Sequence, residues 1–309
     1  MITAREDQGR SLLALPFHAS LEEAAMWPKI ILLLKISRPP LWIALPLVFC
    51  MGLVYGKHGP ASDPAFRCTA LTILQMILLS FPACLFTFGL NDVHDYASDL
   101  GNPRKGGVEG ALADPRHHRL VVRTAITAGL AILLASAATA NPANIFFTMA
   151  FLVLAYTYST PPWRLKVRPP LDVISAGIIG FMAPFALGFS FVDNALALPL
   201  QAYYFTFCVM GFHAFSTIMD YSVDKGIGDR TFAVAYGKRT AALFPAVIFL
   251  CSLFMVSVPY VKGFFIACSA ISVFVTVFPS EKLARYSFLA MFLAVAASVV
   301  LWVTPFLFK

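Results

Sequence analysis

Apolar residues run along this chain in long blocks separated by short polar stretches. Nine blocks stand out, at about 39–56, 70–91, 120–140, 143–160, 171–192, 197–219, 240–260, 262–280 and 286–307. A helix needs roughly 20 mostly apolar residues to cross a bilayer, so each block predicts one transmembrane helix. No block alternates over about ten residues as a barrel strand would, and backbone groups cannot stay unpaired in lipid. The pattern predicts an all-α polytopic membrane protein of nine transmembrane helices with short loops. The apolar run 12–17 is too short for a signal peptide. Residues 1–28 therefore read as a cytoplasmic tail and 29–309 as one membrane domain.

Composition agrees. Of 309 residues, 59% are hydrophobic and 13% charged, against about 25% charged in soluble domains. A soluble, disordered or nucleic-acid-coating protein is excluded, and no nucleic-acid partner is expected despite the net charge of +7. The positions of the basic residues say more than their sum. If loops alternate sides, 19 of the 23 Lys and Arg fall on one side, and only Lys57, Arg67, Lys262 and Lys309 on the other. By the positive-inside rule the first side is cytoplasmic, with the N-terminus, and the C-terminus lies opposite. The six cysteines show no paired spacing and read as small packing residues.

Eight of the 16 acidic residues lie in the second and sixth loops and the helix ends that feed them. One group is Asn91, Asp92, Asp95 and Asp99; the other is Asp220 and Asp224, with Asp229 just beyond. At about 100° per residue, the first four side chains fit one arc of about 100°. Like charges on one helix face repel, so the cluster predicts bound cations, and acids at a membrane edge are functional candidates. Asn91 and Asp95 share their spacing with Asp220 and Asp224, at an offset of 129 residues for both. This suggests two pseudo-repeated four-helix halves plus a ninth helix around a central cavity, with the acid groups facing each other.

All-oxygen ligands suit Mg²⁺, which is often shared with substrate phosphates. Basic residues crowd the same side: Arg104 and Lys105, Arg164, Lys166 and Arg168, Lys225 and Arg230. Acids for Mg²⁺ and cations for phosphate oxygens together describe a diphosphate site at the inner membrane surface. His213 lies seven residues before Asp220 on nearly the same face, about 10 Å deeper. It reads either as a group that faces a second substrate or takes a proton after bond formation, or as a neutral histidine bonded to a neighbouring helix. Asp172 reads as a cap or an ion-pair partner at the start of the fifth span.

These residues resemble the UbiA superfamily of intramembrane prenyltransferases. N-D-x-x-D-x-x-x-D is present as Asn91, Asp92, Asp95 and Asp99, and D-x-x-x-D as Asp220 and Asp224, followed by Gly228-Asp229-Arg230-Thr231. Ser37-Arg38-Pro39 is similar to the family's opening, and Tyr156 to Lys166 to its Y-S-x-P-P-x-R-x-K stretch. The resemblance covers about residues 29–307. It implies two Mg²⁺ ions and an isoprenyl diphosphate donor. Asn91, Asp95 and Asp99 would hold one ion, with Asp92 a direct or indirect ligand, and Asp220 and Asp224 the other. Arg38, Lys105, Lys166 and Arg230 would hold the diphosphate, with Arg104 and Arg164 beside them. Tyr158 would lie near the breaking C–O bond. The loop after the first motif, Asn102 to Gly110, departs from the family's Arg-Thr or Arg-Pro pattern.

The implied activity is Mg²⁺-dependent transfer of an isoprenyl group to a lipophilic acceptor in the membrane. The carotenoid-elongating and archaeal-lipid branches look most similar. Polyene, quinoid and aromatic acceptors all stay open, as do the chlorophyll and haem branches. A terpene cyclase on the same scaffold is the alternative enzyme. A transporter would put charge at mid-membrane, whereas these acids lie at helix ends.

Overall fold

The computed structural model describes residues 17–60, 63, 65–66, 68–100 and 112–307. The protein is all-helical, with 77% helix, and no strand occurs among the described residues. The helices are α1 Phe17–Ile36, α2 Ala44–Tyr55, α3 Ala70–Leu78, α4 Phe81–His94, α5 Tyr96–Asp99, α6 His118–Ala137, α7 Pro142–Ser159, α8 Leu171–Gly177, α9 Ala183–Phe189, α10 Leu200–Ser216, α11 Tyr221–Ile227, α12 Phe232–Tyr236, α13 Lys238–Leu253, α14 Pro259–Val277 and α15 Glu281–Leu307.

Every apolar block falls on helix, but the length test is stricter. Among the described residues, six helical stretches are long and apolar enough to cross a membrane. A seventh is the pair Met26–Ile36 and Pro39–Tyr55, bent by 50°. α10 and α13 have 17 and 16 residues, about 25 Å at 1.5 Å per residue, and fall short. The bend follows from Pro39 and Pro40, which cannot donate to a continuing helix. The block 171–192 is interrupted by one turn of π-helix, Ile178–Met182. Pro184 follows it and lacks the N–H that would pair with the carbonyl four residues back, and the wider turn absorbs the mismatch.

Two apolar clusters form the core. Phe49, Phe86, Ile132, Phe151 and Leu187 centre one; Phe215, Phe249, Phe265, Val275 and Met291 centre the other. The fifth span joins them, since Val173 belongs to the second and Ile179 and Ala183 to the first. α2 and α9 meet backbone to backbone: a Cβ on Gly52 would strike the Phe185 carbonyl, and one on Gly188 the Phe49 carbonyl. The largest fully buried side chains include six phenylalanines, so much of the aromatic content is packing. All six cysteines are free.

One buried polar network lies at the N-terminal end of α7. Asn144 Oδ1 accepts from Gln75 Nε2 and Ser136 Oγ, each at 2.7 Å, and its Nδ2 donates to Ser190 Oγ at 2.9 Å. The C-terminal end of α7, about 22 Å away by helix rise, points at the acid groups.

Candidate active site

α4 delivers the first acid group at its C-terminal end. Asp95, with φ −97° and ψ 1°, separates α4 from α5. Asp220, with φ −107° and ψ 5°, holds the matching place before α11. These breaks are 125 residues apart, one helical turn short of the 129-residue spacing between the acid pairs.

The four side chains of the first group do not share one direction. Asp92 is buried and accepts from Arg38 Nη2 at 3.0 Å, while Arg38 also lies 4.2 Å from the Phe88 ring centre. Asn91 Oδ1 accepts from Ser159 Oγ at 2.7 Å. Asp95 is paired with Lys166, and Arg164 Nη2 lies 3.9 Å from the same oxygen. Asn91, Asp92 and Asp95 thus each meet a different partner, which spreads like charges that would otherwise repel. Asp99 is half-buried.

The second group is held differently. Gly228, at φ +81°, ends α11 in the left-handed region that glycine tolerates. The chain then folds back, so that Asp229 N donates to Asp224 O at 2.9 Å and Thr231 Oγ1 to Asp224 Oδ2 at 2.9 Å. Asp229 accepts from Arg164 at 3.2 and 3.3 Å. Arg164 thus ties the loop after α7 to both acid groups. Burial pushes the Asp224 carboxyl up to about 7; the Thr231 hydroxyl draws it down, Asp220 and Asp229 add to the rise, and Lys166 opposes it. The Tyr158 hydroxyl meets His213 Nε2 at 3.1 Å.

Not every expected residue joins. Arg230 is exposed and forms no ion pair among the described residues. Arg104 and Lys105 lie outside the described residues. Asp172 lies in the first turn of α8 rather than at its cap, and it accepts from Val173 N and from Phe232 N at the start of α12, each at 2.8 Å. Sequence reasoning missed the Asp229–Arg164 pair and the Ser159 bond to Asn91, although Ser159 stands next to Tyr158 in the recognised stretch. It also missed Glu281, at the start of α15. Glu281 accepts from Ser222 on α11 at 2.5 Å and Lys238 on α13 at 2.7 Å, tying the second acid helix down.

The donor set suits an oxyanion with hard cations. The acids offer only oxygen. The Nε groups of Arg38 and Arg164 are buried with no hydrogen-bond partner, leaving two N–H donors suited to phosphate oxygens. Among the described residues no three His, Cys, Asp or Glu side chains stand grouped to hold an ion by themselves, so the site fits an ion shared with a ligand's oxygens better than a closed protein cage.

The sequence matches the UbiA prenyltransferase family over residues 44–287. The lycopene elongase/hydratase of Halobacterium salinarum is 32% identical over 221 residues, covering 71% of this chain and 76% of that one. A UbiA homologue from Archaeoglobus fulgidus, solved with DMAPP and Mg²⁺, has a TM-score of 0.59 at 17% identity, covering 86% of this chain and 99% of that one. A digeranylgeranylglyceryl phosphate synthase gives a TM-score of 0.62 at 13% identity, covering 88% and 96%. The chain belongs to the UbiA prenyltransferase family.

Proposed function

We propose that this protein transfers an isoprenyl group from its diphosphate to an acyclic polyene dissolved in the membrane. The observation that carries the reading is the convergence of two cations on the acid groups: Lys166 pairs with Asp95, and Arg164 lies 3.9 Å from Asp95 and 3.2 Å from Asp229. Such a cation can follow a leaving diphosphate only where both groups surround it. The A. fulgidus homologue's ligands, DMAPP and Mg²⁺, support the donor class. The name of the H. salinarum relative supports a polyene such as lycopene as acceptor.

Asn91, Asp95 and Asp99, with Asp92, would hold one Mg²⁺, and Asp220 and Asp224 a second. When bound, Mg²⁺ neutralises the diphosphate and makes it a better leaving group. The chain's own groups do the rest. Arg38, Arg164 and Lys166 offer positive charge to the departing oxygens, where developing charge gains most, with Arg230, Arg104 and Lys105 as further candidates. Ser159 fixes the Asn91 amide. The apolar helices dissolve the isoprenyl tail and keep water from a cation-like carbon. α10 and α13 complete nine spans in this reading, with residues 1–28 and the acid groups on the cytoplasmic side and the C-terminus opposite.

Membranes containing the chain are incubated with dimethylallyl diphosphate, Mg²⁺ and lycopene. The expected product is lycopene enlarged by five-carbon units, with diphosphate released. A cyclic hydrocarbon formed from a longer isoprenyl diphosphate without acceptor would point to the cyclase instead. Donor consumption only with a phenolic or quinoid acceptor would overturn the polyene assignment.

A further inference from the structure

Prenyl transfer to an alkene leaves an unsolved step. The donor's C–O bond breaks, a C–C bond forms, and the acceptor is left as a carbocation that must lose a proton to become neutral. Asp92, Asp95 and Asp224 are each engaged with a cation or a hydroxyl, and in the transfer reading the acids of both groups hold the metal ions, so the proton needs another recipient.

We infer that His213, held by Tyr158, is the base that takes this proton. The inference rests on the transfer reading above. Three observations carry it. The pair bridges α7 and α10 through a single bond, Tyr158 Oη to His213 Nε2 at 3.1 Å, with the rings edge to face at a centroid distance of 6.0 Å. It adjoins the reaction zone: Ser159, the next residue along α7, bonds Asn91 of the first group at 2.7 Å. Finally, Nδ1 of His213 has no hydrogen-bonding partner among the described residues. A histidine that only tied two helices together would be complete with the tyrosine bond, but this one keeps a second nitrogen available.

The proton balance follows from imidazole chemistry. A neutral ring carries one N–H. When Nε2 donates it to the Tyr158 oxygen, the Nδ1 lone pair is exposed. Nδ1 takes a proton from the carbon next to the cationic centre, the C–H electrons become the new C=C bond, and the resulting imidazolium still donates to Tyr158. The tyrosine selects the tautomer and aims the ring, the part a third group plays in other base-assisted sites. His213 is thus the catalytic residue and Tyr158 a positioning residue. The alternative fate of the cation is capture by water, giving an alcohol.

The test reads products per diphosphate released, so it is independent of how fast the donor ionises. Purified protein with Mg²⁺, dimethylallyl diphosphate and lycopene is compared with the His213→Gln and Tyr158→Phe variants, each checked by its melting temperature. The expected result is at least a tenfold fall in olefinic coupled product per diphosphate in His213→Gln, with alcohol or isoprenol taking its place, and a smaller fall of about threefold in Tyr158→Phe; both lie at or below the usual range for general-base loss, about 10²–10⁴. The ratio is read again with geranyl diphosphate alone, where the donor cation either loses a proton to a triene or takes up water. That arm tests His213 even if lycopene is not the acceptor. An unchanged olefin-to-diphosphate ratio in both variants overturns the inference. So does a wild-type product that is entirely alcohol, which would leave the transfer reading intact. Should His213→Gln fail to fold, an unchanged ratio in Tyr158→Phe decides against it.

Discussion

Arg38 and Arg164 both adopt left-handed backbone, at φ 55° and φ 38°. For a residue with a side chain this costs about 1–3 kcal/mol, and both arginines face the acid groups. The strain is tolerated because the ion pairs with Asp92 and Asp229 fix the side chains. Glycine removes the strain and alanine keeps it. Arg38→Gly should therefore unfold later than Arg38→Ala, by about 1 kcal/mol, although both lose the cation. Equal stability of the two variants in a detergent melt would show that the backbone is unstrained. Lys166 is the more direct test of chemistry. Lys166→Met should slow diphosphate release by about 10²–10³, the range for removing one charge-stabilising donor. A pyrophosphate assay on purified protein within threefold of wild type would remove Lys166 from the site. The sequence named both residues through the family stretches they sit in. Their backbone was not legible, because Ser37-Arg38-Pro39 excludes a helix without choosing a hand for the turn.

At the scale of elements, the apolar blocks predicted where helix would form but not where it would break. The break at Asp95 and the π turn at Ile178–Met182 lie inside continuous apolar or acidic runs, where the hydrophobic pattern does not mark them. The one-arc reading of Asn91, Asp92, Asp95 and Asp99 assumed an unbroken helix, whereas Asp95 separates α4 from α5. Packing between elements depends on short residues and paired polar groups. Gly188→Val should lower stability more than any surface change, since the Phe49 carbonyl occupies the space that its Cβ needs. Asn144→Leu should cost about 2–4 kcal/mol, because Gln75, Ser136 and Ser190 lose a shared partner in an apolar interior. Melting curves of the two variants would check both, and a change under 1 kcal/mol for Asn144→Leu would show the network to be incidental.

For the whole molecule, binding and folding are linked, because the acid groups come from α4 and from the turn before α11, in different parts of the chain. A ligand that binds both should stabilise the full bundle by about 2.7 kcal/mol at a hundredfold excess over its dissociation constant. Mg²⁺ and pyrophosphate added together should raise the melting temperature more than the sum of their separate effects, and chelation should reverse it. Additive shifts would argue for two independent sites. The Asn144 network bears on how such a bundle is made. The ribosome delivers α3, α6 and α7 before α9. Gln75, Ser136 and Asn144 can already satisfy one another when the fourth span enters the bilayer, and only Ser190 and the Leu187 carbonyl wait for the fifth. From the fourth span onward these amides need not dwell unpaired in lipid. The half that carries the first acid group can therefore become a stable membrane intermediate while the half that carries the second is still being translated.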